Sequence, residues 1–118
     1  MVMELVALLS SGKGTWAHVS GLIKNGDWDS IILIGDAFAE KFSTDKKHEF
    51  VKIDSGRKLL EIKEDIMKKL KGKISGTEVA LSIASGSGKE HMALISALLS
   101  LPVGVRFAVL TQEGIIYL

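Results

Sequence analysis

The strongest constraint in this sequence is an alternation. Short, continuous apolar runs recur along the chain, and helical patterns fall between them. Residues 2–9 (Val-Met-Glu-Leu-Val-Ala-Leu-Leu), Ser30–Ile34 and Val79–Ile83 read as buried strands. A strand that is apolar at every position suits a sheet covered on both faces, as parallel sheets are. Glu49–Ile53 is more polar, as expected at a sheet edge. A helix is predicted from Thr15, as N-cap, to about Asn25, with Trp16, Val19, Leu22 and Ile23 on one face and Gly26 as its stop. Gly35-Asp36 turns the chain into a short helix with Phe38 and Phe42 at i and i+4. Lys58–Lys71 is amphipathic: Leu59, Ile62, Ile66 and Leu70 form the inner stripe, Glu64–Lys68 and Asp65–Lys69 pair on the wet side, and Gly72 ends it. Met92–Leu99 is almost wholly apolar, with Pro102 just beyond. Val103–Leu110 and Ile115–Leu118, joined by Thr111-Gln112-Glu113-Gly114, read as a hairpin.

The order β-α-β-α-β-α-β-α-β-β implies an α/β fold, a Rossmann-like three-layer sandwich around a mostly parallel six-stranded sheet. Right-handed crossovers favour the strand order 3-2-1-4-5-6, with the last strand antiparallel. A chain of 118 residues suits one domain over 1–118. Its net charge of +1 gives no general drive toward duplex nucleic acid or acidic membranes, so any anion site must be local. The absence of cysteine excludes disulfides and thiolate zinc sites. His18, His48 and His91 are too scattered to suggest a metal, and no cofactor is expected. No apolar stretch reaches membrane-spanning length and the start lacks a leader pattern, so a cytoplasmic protein is expected.

In sheets of this order, ligands bind where the winding direction reverses, beyond the carboxyl ends of the strands. That crevice lies between the first and fourth strands. Its flanking loops are Ser10-Ser11-Gly12-Lys13-Gly14-Thr15 and Ser85-Gly86-Ser87-Gly88-Lys89. Both are built of small residues, both carry a lysine, and both open a helix, whose N–H groups and partial positive charge suit an anion. Neither is a P-loop: counting back from Gly88-Lys89, the first glycine would fall at Ile83, and Glu90 stands where a Ser or Thr is required. Lys89 is unfavourable against the helix dipole, a mismatch that favours an anionic partner, although a plain surface lysine is the alternative. Lys13 could be solvated, and Ser11 is often just a turn residue. His91 is either a general acid or base or a packed, hydrogen-bonded histidine; His18 is expected to be exposed. Asp36 is read as a cap for the short helix rather than a ribose contact, Trp16 as core rather than a base-stacking platform, and Glu90 as a cap or a partner for a lysine.

The tail from about Val79 to Leu118 resembles the CRISPR-associated Rossmann-fold (CARF) domains. That family shows an apolar strand, a loop of the type Thr/Ser-Gly-Gly/Ser-Thr/Gly-Lys, a helix rich in methionine and alanine, and a strand hairpin. Ser85-Gly86-Ser87-Gly88-Lys89-Glu90-His91-Met92 matches the loop, and Leu110-Thr111-Gln112-Glu113-Gly114 resembles the hairpin turn. Ser10–Thr15 falls where the family has its other ligand loop but matches it loosely, and residues 27–75 match only in element order. The effector domain that usually follows is missing from this sequence, so a stand-alone unit is expected. The resemblance implies binding of cyclic oligoadenylate across the two-fold axis of a homodimer. Some relatives are metal-independent ring nucleases, in which a ribose 2′-OH attacks its neighbouring phosphate. On that reading Lys89 and Ser11 are the catalytic candidates. Ser10, Gly12, Lys13, Gly14, Thr15, Ser85, Gly86, Ser87, Gly88 and His91 are the ligand-binding candidates. The alternatives are a small α/β module for an ordinary nucleotide or phosphate, a partner-binding subunit without catalysis, or a structural dimer that has lost its ligand.

Overall fold

A computed structural model describes residues 3–10 and 15–118. Six strands form one sheet: β1 (Glu4–Leu9), β2 (Ser30–Gly35), β3 (Glu49–Lys52), β4 (Glu78–Ser82), β5 (Gly104–Thr111) and β6 (Gly114–Tyr117). Their order is β3-β2-β1-β4-β5-β6. The first five strands are mutually parallel, and β6 runs antiparallel to β5. This is the Rossmann-like arrangement expected from the alternation of runs. Three helices pack on the sheet: α1 (Trp16–Asn25), α2 (Leu59–Leu70) and α3 (Gly88–Ser100). A 3-10 turn spans Phe38–Lys41.

Strand alternation sorts the core into two layers. Val6 and Leu8 of β1 join Ile32, Ile34, Val79 and Leu81 beneath Ile62, Ile66 and Leu70 of α2 and Leu94 and Leu98 of α3. Leu5, Ala7 and Leu9 face the other way, with Ile31, Leu33, Ala80 and Ala108, beneath Val19, Leu22 and Ile23 of α1. Both faces of β1 are therefore dry, which is why its sequence shows no polar alternation. No helix intervenes between β5 and β6, so the face beside α3 keeps an open apolar groove of about 320 Å³ along Leu81, Ile83, Phe107, Val109 and Leu118.

The helix ends depart from expectation in two places. Thr15 precedes α1 in a helical conformation and makes no side-chain cap bond. Gly26 does stop α1, but with φ of −99°, so no left-handed conformation is involved. Glycine is needed there for space: a Cβ would lie 2.3 Å from the Trp28 indole. That indole donates to the Leu22 carbonyl at 2.8 Å, beside the Gly26 amide at 3.1 Å, and so closes the helix. Gly72, by contrast, has φ of +84° after α2, the usual glycine ending. Of the paired charges on α2, Asp65 and Lys69 meet at 3.0 Å.

Candidate functional site

The winding direction reverses between β1 and β4. Their ladder pairs Glu4 with Val79 through Ala7 with Ser82, and the chains then diverge. Beyond it the two exit loops are tied together by side chains. Ser85 is 1% exposed. Its Oγ accepts the Ser10 amide at 2.9 Å and donates to Ser10 Oγ at 3.0 Å. The Ser10 carbonyl accepts the Trp16 indole N–H at 2.8 Å. The Ser85 carbonyl lies 2.8 Å from His91 Nε2, and because a carbonyl only accepts, that nitrogen carries the proton. The base of the β1 loop and the base of the β4 loop are thus in direct contact, as the strand order requires. Ser11, Gly12, Lys13 and Gly14 lie outside the described residues.

The β4 loop is shaped for a close backbone approach. Gly86 has φ of +106°, and a Cβ there would stand 2.4 Å from Leu8 Cδ2 and 3.2 Å from His91 Nε2. Both conformation and space exclude any other residue. Ser87 begins α3 with a reciprocal cap: its hydroxyl accepts the Glu90 amide at 3.2 Å, and its own amide donates to Glu90 Oε1 at 2.9 Å. Glu90 is only 7% exposed. The Ser-x-x-Glu spacing marks such a cap in a sequence and was the available signal for this role of Ser87. The cap uses the amides of Ser87 and Glu90, so Gly88 and Lys89 supply the first-turn donors that remain. The Glu90 carboxylate also offsets part of the positive end of α3, which leaves the Lys89 ammonium as the stronger attraction for an anion.

Gly86, Ser87, Gly88 and Lys89 are all exposed. Lys89 reaches sideways, donating from Nζ to the Ser55 carbonyl at 3.3 Å in the turn between β3 and α2. That turn and Asp36 complete the rim. Asp36 Oδ1 accepts the amides of Phe38 (3.1 Å) and Ala39 (3.2 Å), the cap expected of it, and its other oxygen lies 3.5 Å from Ser55 Oγ. Trp16 packs edge-on and tilted against Phe42 and Phe38, at 5.8 and 5.7 Å between ring centres. Its ring is part of that cluster rather than an open platform. His18 differs from expectation: instead of facing solvent it accepts the Leu110 amide at Nε2, 3.3 Å away. His48 bonds locally to the Lys46 carbonyl at 2.9 Å. Among the described residues, no three histidines, aspartates or glutamates gather closely enough to hold a metal ion, and no helix is long and apolar enough to cross a membrane.

Comparison with solved structures places this architecture. Enterococcus italicus Csm6, bound to cyclic hexa-2′-fluoro-hexa-dAMP, superposes on 95% of the chain with a TM-score of 0.62 at 13% identity. The chain has the fold of a segment of Csm6. Protein VC1899 from Vibrio cholerae superposes on 98% of the chain with a TM-score of 0.68 at 16% identity. The chain spans about a third of the length of each, 34% of Csm6 and 33% of VC1899. No family model matches the sequence, and no curated protein matches it significantly.

Among the described residues, the rim offers two amides of a helix start, the Lys89 ammonium and an exposed glycine-rich backbone, beside an Asp36 carboxylate already engaged with the Phe38 and Ala39 amides. Such a set grips phosphoryl oxygens and offers little to a neutral or cationic ligand. The hydroxyls of Ser10 and Ser85 are engaged with each other, and Ser87 with its cap.

Proposed function

We propose that this protein binds cyclic oligoadenylate as a CARF-like unit of a CRISPR signalling system. One observation carries the reading. The Ser85–Lys89 loop stands at the sheet's reversal point, joined to the β1 loop, in a fold shared with a Csm6 whose ligand is a ring of six adenylate analogues. The Ser-Gly-Ser-Gly-Lys sequence of that loop supports it. On this proposal the amides of Gly88 and Lys89 and the Lys89 ammonium hold a phosphodiester. Ser11, Lys13 and the glycines beside them would act from the other loop. A ring with two-fold symmetry is matched by two copies of the chain, and the proposal includes a homodimer with the ligand on its axis.

Titration calorimetry with cyclic tetra- and hexaadenylate tests the binding. Micromolar or tighter affinity is expected; no heat and no competition at that level reject the reading. Sedimentation tests the dimer, with and without ligand. Ring cleavage is the finer part of the proposal. In it a 2′-oxygen bonds to the adjacent phosphorus and the P–O5′ bond breaks. The products are a 2′,3′-cyclic phosphate and a 5′-hydroxyl, and the proton lost from the 2′-OH is balanced by the one gained at O5′. The protein need only align the attack and stabilise charge on the phosphoryl oxygens, where Lys89 acts. Radiolabelled ring should be opened by the parent and spared by Lys89→Ala. A ring fluorinated at every 2′ position lacks the nucleophile, so it should bind and stay intact; its cleavage would rule out this chemistry.

A further inference from the structure

We infer that Ser85, together with Ser10, His91 and Trp16, is a positioning device that sets the β1 loop against the β4 loop, and that Ser85 and His91 do not themselves touch the ligand. The inference rests on the binding reading above. The β1–β4 ladder ends at Ala7 and Ser82. Ser10 and Ser85 each lie three residues beyond those positions, and their side-chain pair forms one more rung past the last paired residues. The rung spans 75 residues of sequence.

Its atoms are fully employed. Ser85 Oγ gives its proton to Ser10 Oγ and takes the Ser10 amide; the Ser85 carbonyl takes the His91 proton. With 1% exposure, Ser85 has neither access nor a spare proton for a phosphate. His91 fixes the rung to the first turn of α3, and the Trp16 indole fixes Ser10 from the side of α1. Gly86 threads between Leu8 and His91 with no room for a Cβ, so the backbone passes this brace at close range. The bases of the two loops, at Ser10 and Ser85, are consequently held together before any ligand arrives, which lowers the ordering cost of binding.

The test combines affinity with hydrogen exchange, which needs no ligand. In Ser85→Ala, amides of residues 10–15 should exchange about tenfold faster while those of β2 and β3 are unchanged, and cyclic hexaadenylate should bind about tenfold more weakly. His91→Gln places an amide donor where Nε2 stood and should bind within about threefold of the parent; His91→Leu should match Ser85→Ala. Should Ser85→Ala not fold, Trp16→Phe keeps an aromatic ring beside Phe38 and Phe42 but removes the indole donor, and should speed exchange at residues 10–15 by about threefold. Unchanged exchange at those residues in Ser85→Ala and Trp16→Phe overturns the inference. So does a His91→Gln protein as weak as His91→Leu, which would place the imidazole on the ligand. If the parent binds no ring, the functional reading falls, and the exchange data alone decide whether the brace exists.

Discussion

The two ends of the sheet are held by opposite means. At the amino end, Glu4 is buried to 1% exposure among the first residues of β1. Its carboxylate takes the Ser30 hydroxyl at 2.8 Å and the amides of Ser75 and Gly76 at 2.9 and 2.7 Å. One charge therefore ties three distant parts of the chain. At the carboxyl end, Asp36 caps Phe38 and Ala39, Asp54 holds Gly56 and Glu90 holds Ser87, and the longer reaches are those of Asp36 to Ser55 at 3.5 Å and of Glu40 to Lys52 at 3.4 Å. The tie between the two exit loops there is the neutral Ser10–Ser85 pair. A buried carboxylate with three donors is strong and inflexible, and it would repel an anion. A hydroxyl pair is weaker and carries no charge, so it can brace a rim without repelling an anion. The amino end uses a buried carboxylate for its long-range tie, and the carboxyl end joins its two exit loops through uncharged groups.

Four substitutions and a pH series would break or sharpen this contrast. The largest effect is expected from Glu4→Ala, which empties a buried site and strands three part-buried donors, and should cost about 3–5 kcal/mol in urea unfolding. A loss below about 1 kcal/mol would mean the amino end does not depend on that charge. Gly86→Ala forces a Cβ onto Leu8 at a φ of +106° and should cost about 2–4 kcal/mol, with ring binding lost in the same protein. Ser87→Ala removes the cap hydroxyl of α3 for about 1 kcal/mol, and ring affinity should stay near that of the parent because that hydroxyl serves the cap and not the ligand. Lys89→Ala should leave stability within about 0.5 kcal/mol, since its ammonium meets a backbone carbonyl at the surface, yet lower ring affinity at least about tenfold. A strong loss of stability in that variant would recast Lys89 as structural.

The smallest effect concerns α2. Glu61 reaches back to the Lys58 amide at 3.2 Å and to Arg57 at 3.1 Å. The amide bond first, and then the Arg57 guanidinium, hold its carboxyl below the usual glutamate value of 4.5. A depressed carboxyl contributes stability above its unfolded value and loses it as pH falls through the folded one. Glu61→Gln should therefore lower the melting temperature slightly at pH 7, and the difference from the parent should shrink as pH falls below 4.5 and through the folded value. A difference that persists at pH 3 would show that charge at this cap is irrelevant.

Much of the fold was legible because its signals are local. The unbroken run at 31–34 and the stripe Ile62–Ile66–Leu70 announce strand and helix from neighbours in sequence. The hairpin announces itself at Gly114, whose φ is +107°. Crossover handedness then supplies the strand order. What remained hidden depends on distant pairings. The Ser10–Ser85 rung joins residues that read as ordinary loop serines. Glu4 looks like an anomaly in an apolar strand until Ser75 and Gly76 arrive beside it. Gly26 fits the usual rule for helix ends, but the reason for its presence is an indole two residues on. Thr15 has the right identity for a cap and the wrong backbone conformation. At the candidate site, the loop sequence located the rim, while the division of work within it required coordinates: Ser87 to the cap, Ser85 to the brace, Lys89 to the surface.

The placement of the two tryptophans has a practical consequence. Trp16 touches the brace at one pole of the sheet, and Trp28 sits at the other, closing α1. A Trp28→Phe protein would carry a single indole, and its emission would report the crevice alone, so ligand arrival could be followed by fluorescence without attaching a dye.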